Sequence, residues 1–401
     1  MAGLNVKVRD IDDDTLYTHK TIQIGSTSID SPVKALPVGK MRRADTVSDS
    51  VRGFNEIYFK TTPDDLRDAR KAFKSKQKKK KIQPALNKAR RDEINVVFVE
   101  LATKERVSDK NLLYLIDLLY STSDILALPL MNTMLNAIKK DGKGVESRYF
   151  NRYFENLKRL LRMAIDTNKP VMGIVPALNW DFTNRVANLY LNNGIRAFCI
   201  DFNGKTVTAE NQLTNTVRPL MRKIRSERIQ EDVLIYSINA HRGRSRSGFT
   251  GTPANDFMTF GFGFDILGDK HISRNLPPHL FEQAEDETPK FRMFHRDDYV
   301  YQDHKYGTDL RQSLPSNTGL DPDRILDRPQ DKYRFAALLN GEQQAFESID
   351  LQPAIDEHRV VDHVQKKRGV GDDDLEGMRS TKKAYDGKKN QTVLSSLDDL
   401  I

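Results

Sequence analysis

Cysteine is almost missing from this chain of 401 residues, with Cys199 standing alone. One thiol excludes an internal disulfide and a cysteine-rich zinc site, and it fits a reducing compartment. Long hydrophobic runs are missing as well: no stretch approaches the roughly 18 apolar residues of a membrane span. The opening MAGLNVKVRDIDDD has no apolar core of signal-peptide length. These gaps predict a protein of the cytoplasm, or a virus-encoded one acting in the host cytoplasm, without a membrane partner. Zinc-like spacing is absent too. His271, His279, His295 and His304 with Asp297, Asp298 and Asp303 read as polar surface, so no metal is expected, and no cofactor either.

Positive charge, by contrast, is plentiful. Lys and Arg number 64 against 56 Asp and Glu, for a net charge of +8 and a pI of about 9.2. Such a balance favours polyanionic partners, nucleic acid above all. The densest run lies in a basic insertion over residues 70–91, where Lys78, Lys79, Lys80 and Lys81 follow one another. It reads either as a solvated surface or as a phosphate-contacting arm that adds affinity without specificity. The length accommodates one large α/β barrel of about 250 residues with extensions, or two medium domains.

Residues 1–20 read as a polar, acidic arm. TIQIGSTSIDSPVKALPVGK then reads as a hairpin, with Ile22 and Ile24 leading into a turn over residues 25–28 and a strand over 33–38. Further strands are expected near residues 55, 95, 124, 171, 195, 233 and 257. Helical patterns separate most of them: SDKNLLYLIDLLYS with Ser108 as N-cap, RYFENLKRLLRMAIDTN, DFTNRVANLYLNNG ended by Gly194, and residues 216–228. Several strands are continuous apolar runs, as parallel strands covered by helices require. Over residues 21–275 this alternation predicts an α/β fold, a (β/α)8 TIM-like barrel with an N-terminal hairpin; a doubly wound open sheet is the structural alternative. Residues 276–368 predict a mixed helical and turn-rich extension. Residues 369–401 predict a disordered tail whose end, VLSSLDDLI, is either mobile or a docking peptide.

Chemistry in α/β proteins sits where strands end in loops rich in glycine and charge. DVLIYSINAHRGRSRSG ends in such a loop, with His241, Arg242, Arg244 and Arg246 among small residues. Barrels often hold phosphate on the loops after strands seven and eight. Arginine suits phosphate because its planar fork makes paired hydrogen bonds. The plain alternative is an exposed, flexible loop. At the end of MGIVPALNW, Asn179 and Trp180 are candidates to hydrogen-bond and stack a base, against the reading of Trp180 as a core-edge aromatic. NDFMTFGFGFDILGDKH supplies a second strand end, with Asp265 and Asp269.

With the strands in order, the chain resembles the tRNA-guanine transglycosylase superfamily, which includes the queuine and archaeosine tRNA-ribosyltransferases and a branch acting on DNA. IGSTSIDSPVKALPVG is similar to the family's opening hairpin with Thr-Pro-Val, here Ser31, Pro32 and Val33. SDILALPL resembles the strand ending Ala-Leu-Asp-Glu, MGIVPAL the Gly-Ile-Val-Gln-Gly-Gly strand, GIRAFCIDFNGK the Ala-Ile-Gly-Gly-Leu strand, and GFGFDILGDK the Gly-Val-Asp-Met-Phe-Asp strand whose last Asp is the nucleophile. The likeness covers about residues 20–275. The Asp-Ser-Gly-Gly-Phe-Gln signature has no counterpart between Gly39 and Ser123. Pro129 stands at the base-recognising Asp, Pro176, Ala177 and Leu178 stand at Gln-Gly-Gly, and Gly268 stands at the nucleophile. The family's three-cysteine zinc site cannot form.

The resemblance implies exchange of guanine for a 7-deazaguanine base in DNA or tRNA. Such exchange needs a carboxylate that attacks an oxocarbenium-like sugar carbon beside a pocket for the leaving base. Asp201, Asp265 and Asp269 meet that requirement, and buried ion pairing or helix capping is the plain alternative for each. Two other readings stay open. One is a catalytically silent relative that binds nucleic acid or serves as a subunit, in a homo- or hetero-oligomer. The other is an unrelated barrel enzyme that takes a phosphorylated small molecule on HRGRSRSG.

Overall fold

The computed structural model describes residues 3–72, 90, 92–245, 248–272 and 289–387. Strands β1 (Leu4–Ile11), β2 (Thr18–Ile24) and β3 (Thr27–Ser31) open the chain as an antiparallel sheet in the order β1-β2-β3. The expected polar arm is therefore a strand in its first half, with Val6 buried opposite Ile22. The hairpin turn falls at Gly25, where a φ of 59° suits glycine. It joins β2 to β3, and the residues expected as the hairpin's second strand go to another sheet.

That sheet is parallel. Strands β4 (Val33–Lys34), β5 (Phe54–Thr61), β6 (Ile94–Leu101), β7 (Leu126–Ala127), β8 (Val171–Pro176), β9 (Ala197–Asp201) and β10 (Leu234–Ile238) follow in turn, then β11 (Thr252–Pro253) and β12 (Ile266–Leu267). Six of them pair in the order β4-β12-β10-β9-β8-β7, and β5 pairs with β6. Isolated parallel bridges join Leu36 to Asn55, Val96 to Ile125 and Glu100 to Leu130. β6, β8, β9 and β10 are buried along their whole length, as parallel strands with side chains packed on both faces are. Phe98 of β6 and Tyr236 of β10 place their ring centroids 5.1 Å apart, although β5, β4 and β12 lie between those strands along the pairing.

The strand expected near residue 257 is instead the 3-10 helix Phe257–Phe262, and the last parallel strand is the two-residue β12. Gly263 closes that helix at a φ of 90°.

Helices separate the strands. In Arg148–Ile165 the Ser147 hydroxyl accepts the Tyr149 amide at 3.2 Å, and Phe150, Tyr153, Leu157, Leu160, Leu161 and Ala164 form the buried stripe. Asn132–Asp141, which the sequence pattern did not announce, begins two residues after the Leu130 bridge and so sets Asn132 at the carboxyl end of the strands. Trp180–Asn192 covers β8 through Tyr190, whose hydroxyl donates to the Ile174 carbonyl at 2.9 Å. A Cβ on Gly173 would lie 2.6 Å from the Tyr190 ring. Gly173→Ala should therefore destabilise the fold by about 1–3 kcal/mol, read as a lower denaturant midpoint at unchanged slope; an unchanged midpoint would show that this helix yields freely.

At the amino ends of the strands Asp265 is fully buried. The Lys20 ammonium pairs with it at 2.9 Å and the Ile235 amide donates to it at 2.7 Å. Beyond the parallel strands, β13 (Lys290–His295) and β14 (Val300–Lys305) form an antiparallel sheet with β11 in the order β11-β14-β13, and the long helix Lys332–Asp356 packs on β13 and β4. The expected disordered tail is corrected in part: Asp372–Asp386 is a helix that buries Leu375 and Met378. VLSSLDDLI lies outside the described residues. Among the described residues no helix is long and apolar enough to cross a membrane.

Candidate active site

The carboxyl ends of the parallel strands gather polar side chains that the sequence spreads over more than two hundred residues. β9 ends in Asp201, which is 1% exposed. Its Oδ1 accepts the Asn239 side-chain amide and the Asn203 backbone amide, both at 2.9 Å. Its Oδ2 is buried without a hydrogen-bond partner, and so are both amide atoms of Asn132. Burial pushes the Asp201 pKa up, while hydrogen bonds from Asn239 and Asn203, the Asn132 side chain and the Lys139 charge pull it back; Asn132 lies close enough to act on the carboxylate, although no contact between them meets hydrogen-bond geometry. Asn203 and Asn239 both take a positive φ, 49° and 59°, a conformation that asparagine tolerates better than other non-glycine residues. The two strand-end asparagines thus turn the backbone sharply and hold one oxygen of the acid.

Asn239 also links this acid to a second group. Its Oδ1 accepts the His271 amide at 2.8 Å and its amide donates to the Asp269 carbonyl at 3.1 Å. Glu56 of β5 reaches across the interior, fully buried, and accepts from the Tyr236 hydroxyl, from the His271 ring and, at 3.0 Å, from the Asp269 amide. Tyr58 stacks on His271 with centroids 4.2 Å apart and planes 2° from parallel, and its hydroxyl donates to Glu100. Asp269 pairs with Lys40. Burial alone would raise the Asp269 pKa, but Lys40, Lys34 and His271 hold it well below the usual carboxylate range. Burial lowers the pKa of Lys34, against the pull of Asp269 and Glu56.

The three expected acids therefore divide. Asp201 and Asp269 stand at the carboxyl ends, whereas Asp265 stands at the amino end of β12, where burial raises its pKa against the pull of Lys20. Asp265 is thus held in a buried ion pair with Lys20, the plain alternative to a nucleophilic role, at the opposite end of the strands from Asp201. The loop after β10 starts at the same face as Asp201: the His241 amide donates to the Lys205 carbonyl at 2.8 Å, and the His241 ring bonds the Arg242 carbonyl. The Arg242 guanidinium carbon sits 3.9 Å from the Tyr301 ring centroid. Stacking uses the face of the guanidinium and leaves its N–H edge for an anion. Arg244 is exposed, while Arg246 and Lys78, Lys79, Lys80 and Lys81 lie outside the described residues. Asn179 is the N-cap of Trp180–Asn192, accepting the Phe182 amide at 3.1 Å, and Trp180 is 55% exposed rather than tucked at the core edge.

Glu56, Lys34, Asn132 and Asn239 escaped the sequence reading. Their signal was present in part: an acid inside FNEIYF and a lysine inside PVKALPV are charges in strands buried on both faces, and such charges need partners. Two cavities among the described residues, of about 520 and 640 Å³, lie elsewhere, and neither is lined by Asp201, Asp269 or His271. The polar cluster carries more chemical information than either, because it holds buried acids with positioned donors. No protein-family model and no curated protein matches the chain.

Proposed function

We propose that the eight parallel strands close into a (β/α)8 barrel and that its carboxyl end exchanges guanine for a 7-deazaguanine base in DNA or tRNA, with Asp201 as the attacking carboxylate. The bridges at Leu36, Val96 and Glu100 supply the pairings that a closed ring needs, and the Phe98 and Tyr236 rings meet as opposite strands of a barrel would. The observation that carries the activity is the state of Asp201: one oxygen is anchored by two donors, and the other is buried without a partner. That is what displacement at C1′ asks of a carboxylate, a fixed plane with one lone pair to spare. Oδ2 would form a bond to C1′ as the C1′–N9 bond breaks. The incoming base would then reform the glycosidic bond through its N9 and release the carboxylate.

Arg242 and Arg244 would hold the phosphate backbone beside this acid, with Arg246 and Lys78 to Lys81 adding charge, and Trp180 at the rim would stack a base. Arg242→Ala should weaken binding to DNA or tRNA about equally across sequences and flatten the slope of log K against log salt by about 1. Filter binding over a salt series checks it, and an unchanged slope would remove Arg242 from the phosphate contacts.

A second reading, a catalytically silent relative that binds nucleic acid or a partner subunit, has one observation in its favour: Gly268 stands where the family's nucleophile is expected, and Glu56 fills the space beside it. Incubation with labelled 7-deazaguanine and either DNA or tRNA separates the two. Incorporation that needs Asp201 supports exchange, and salt-sensitive binding without incorporation supports the silent relative.

A further inference from the structure

We infer that His271, oriented by Glu56, is the acid and base that protonates the departing guanine and deprotonates the incoming base; this rests on the exchange reading above. A leaving heterocycle departs slowly as an anion, so a positioned proton donor speeds glycosidic cleavage by about 10² to 10⁴-fold. His271 has the features of such a group. One ring nitrogen, Nε2, is bonded to the buried Glu56 carboxylate. The ring plane is fixed by Tyr58, stacked at 4.2 Å, and the backbone by Asn239 at 2.8 Å. The other nitrogen, Nδ1, makes no hydrogen bond among the described residues. A carboxylate holding one imidazole nitrogen so that the other can exchange a proton is the arrangement of nucleophilic triads. Glu56 has donors enough without it, from the Tyr236 hydroxyl and the Asp269 amide.

The groups facing His271 are Glu56 and Tyr58 of β5, Tyr236 of β10 and Asp269 of its own loop, with Lys40 and Lys34 beside Asp269. Asn239 ties the group to Asp201, since one amide holds both the nucleophile's Oδ1 and the His271 backbone. In the forward step the proton on Nδ1 passes to N7 of guanine while the C1′–N9 electron pair moves onto the ring and Asp201 Oδ2 bonds C1′. In the return step the incoming 7-deazaguanine gives its N9 proton to Nδ1 as N9 displaces the carboxylate.

The test compares release of guanine with release of N7-methylguanine from the same oligonucleotide, for wild type and His271→Asn. N7-methylguanine already carries the positive charge and leaves without a donor. The expected result is a loss of about 10² to 10⁴-fold for guanine, less than about 3-fold for N7-methylguanine, and disappearance of the alkaline limb of the pH profile for guanine release, the limb on which a proton donor is lost. Equal losses on both bases, or none on either, would overturn the role of His271 alone. Wild-type protein that releases neither base overturns the exchange reading and this role together. Glu56→Gln gives a second readout in a variant of nearly the same shape. It should slow guanine release by at least about 10-fold and leave release of N7-methylguanine within about 3-fold, because the ring loses the carboxylate that orients it, and equal effects on the two bases count against the inference.

Discussion

Asp201→Asn should lower base exchange by at least about 10³-fold and at the same time raise stability by about 1 kcal/mol. The loss follows from the chemistry: an amide oxygen is a far weaker nucleophile than a carboxylate, and the neighbouring donors stay in place to hold it. The gain follows from burial. Asp201 is 1% exposed and its pKa is raised, so folding favours the neutral form. Between the unfolded value near 3.9 and the higher folded value, the native state binds more protons than the unfolded one, and stability falls as pH rises through that window. Asparagine carries no such penalty. The advantage of the variant should therefore be full at neutral pH and vanish below about pH 4, where the unfolded carboxylate is protonated as well. Single-turnover exchange and melting at several pH values measure both halves. Retained activity would take the nucleophile away from Asp201, and a variant less stable at pH 7 would mean that its charge is paid for by groups around it.

Most of the parallel strands were legible because burial on both faces forces continuous apolar runs, as in INVVFVEL and VMGIVP. The last one was misplaced for a physical reason. FMTFGF has the aromatic content of a strand, yet Gly261 and Gly263 sit where a Cβ would strike Met378 at 2.5 Å and Met221 at 3.0 Å, so the segment is coiled tightly against other helices. β1 was hidden by its charges: NVKVRDI alternates as a half-buried strand does, but only Val6 among its residues is buried. The helix Asp372–Asp386 was hidden likewise, because its buried apolar stripe is reduced to Leu375 and Met378 in a run of charges. The loop after β10 was legible as a strand-end loop from its arginines among small residues. The acid cluster was not, since Glu56, Tyr236 and His271 are brought together by sheet order alone, which local periodicity does not encode.

Gly268→Asp, which restores the acid that the family resemblance expects, should abolish folding or cost more than about 4 kcal/mol and give no exchange beyond that of the wild type. A Cβ at 268 would lie 2.4 Å from Glu56 Oε2, 2.6 Å from Tyr236 Cε1 and 2.7 Å from the Ser237 carbonyl oxygen. The first contact sets a second carboxylate against a buried one, which adds like-charge repulsion to overpacking. The last is a backbone atom of β10 and cannot swing away. Removing the first obstacle separates these causes. Glu56→Ala with Gly268→Asp should regain the part due to charge and Glu56 volume, leaving about 1–3 kcal/mol from the Ser237 contact, so the two changes couple strongly in a double-mutant cycle. Additive effects would mean that Glu56 does not occupy the space of the absent side chain. A double variant that folds and gains exchange would place the reacting sugar at β12 instead of β9. The expected outcome, strong coupling without added exchange, would mean that in this chain the carboxylate beside Gly268 comes from β5, in the space where the resemblance expects an acid from β12.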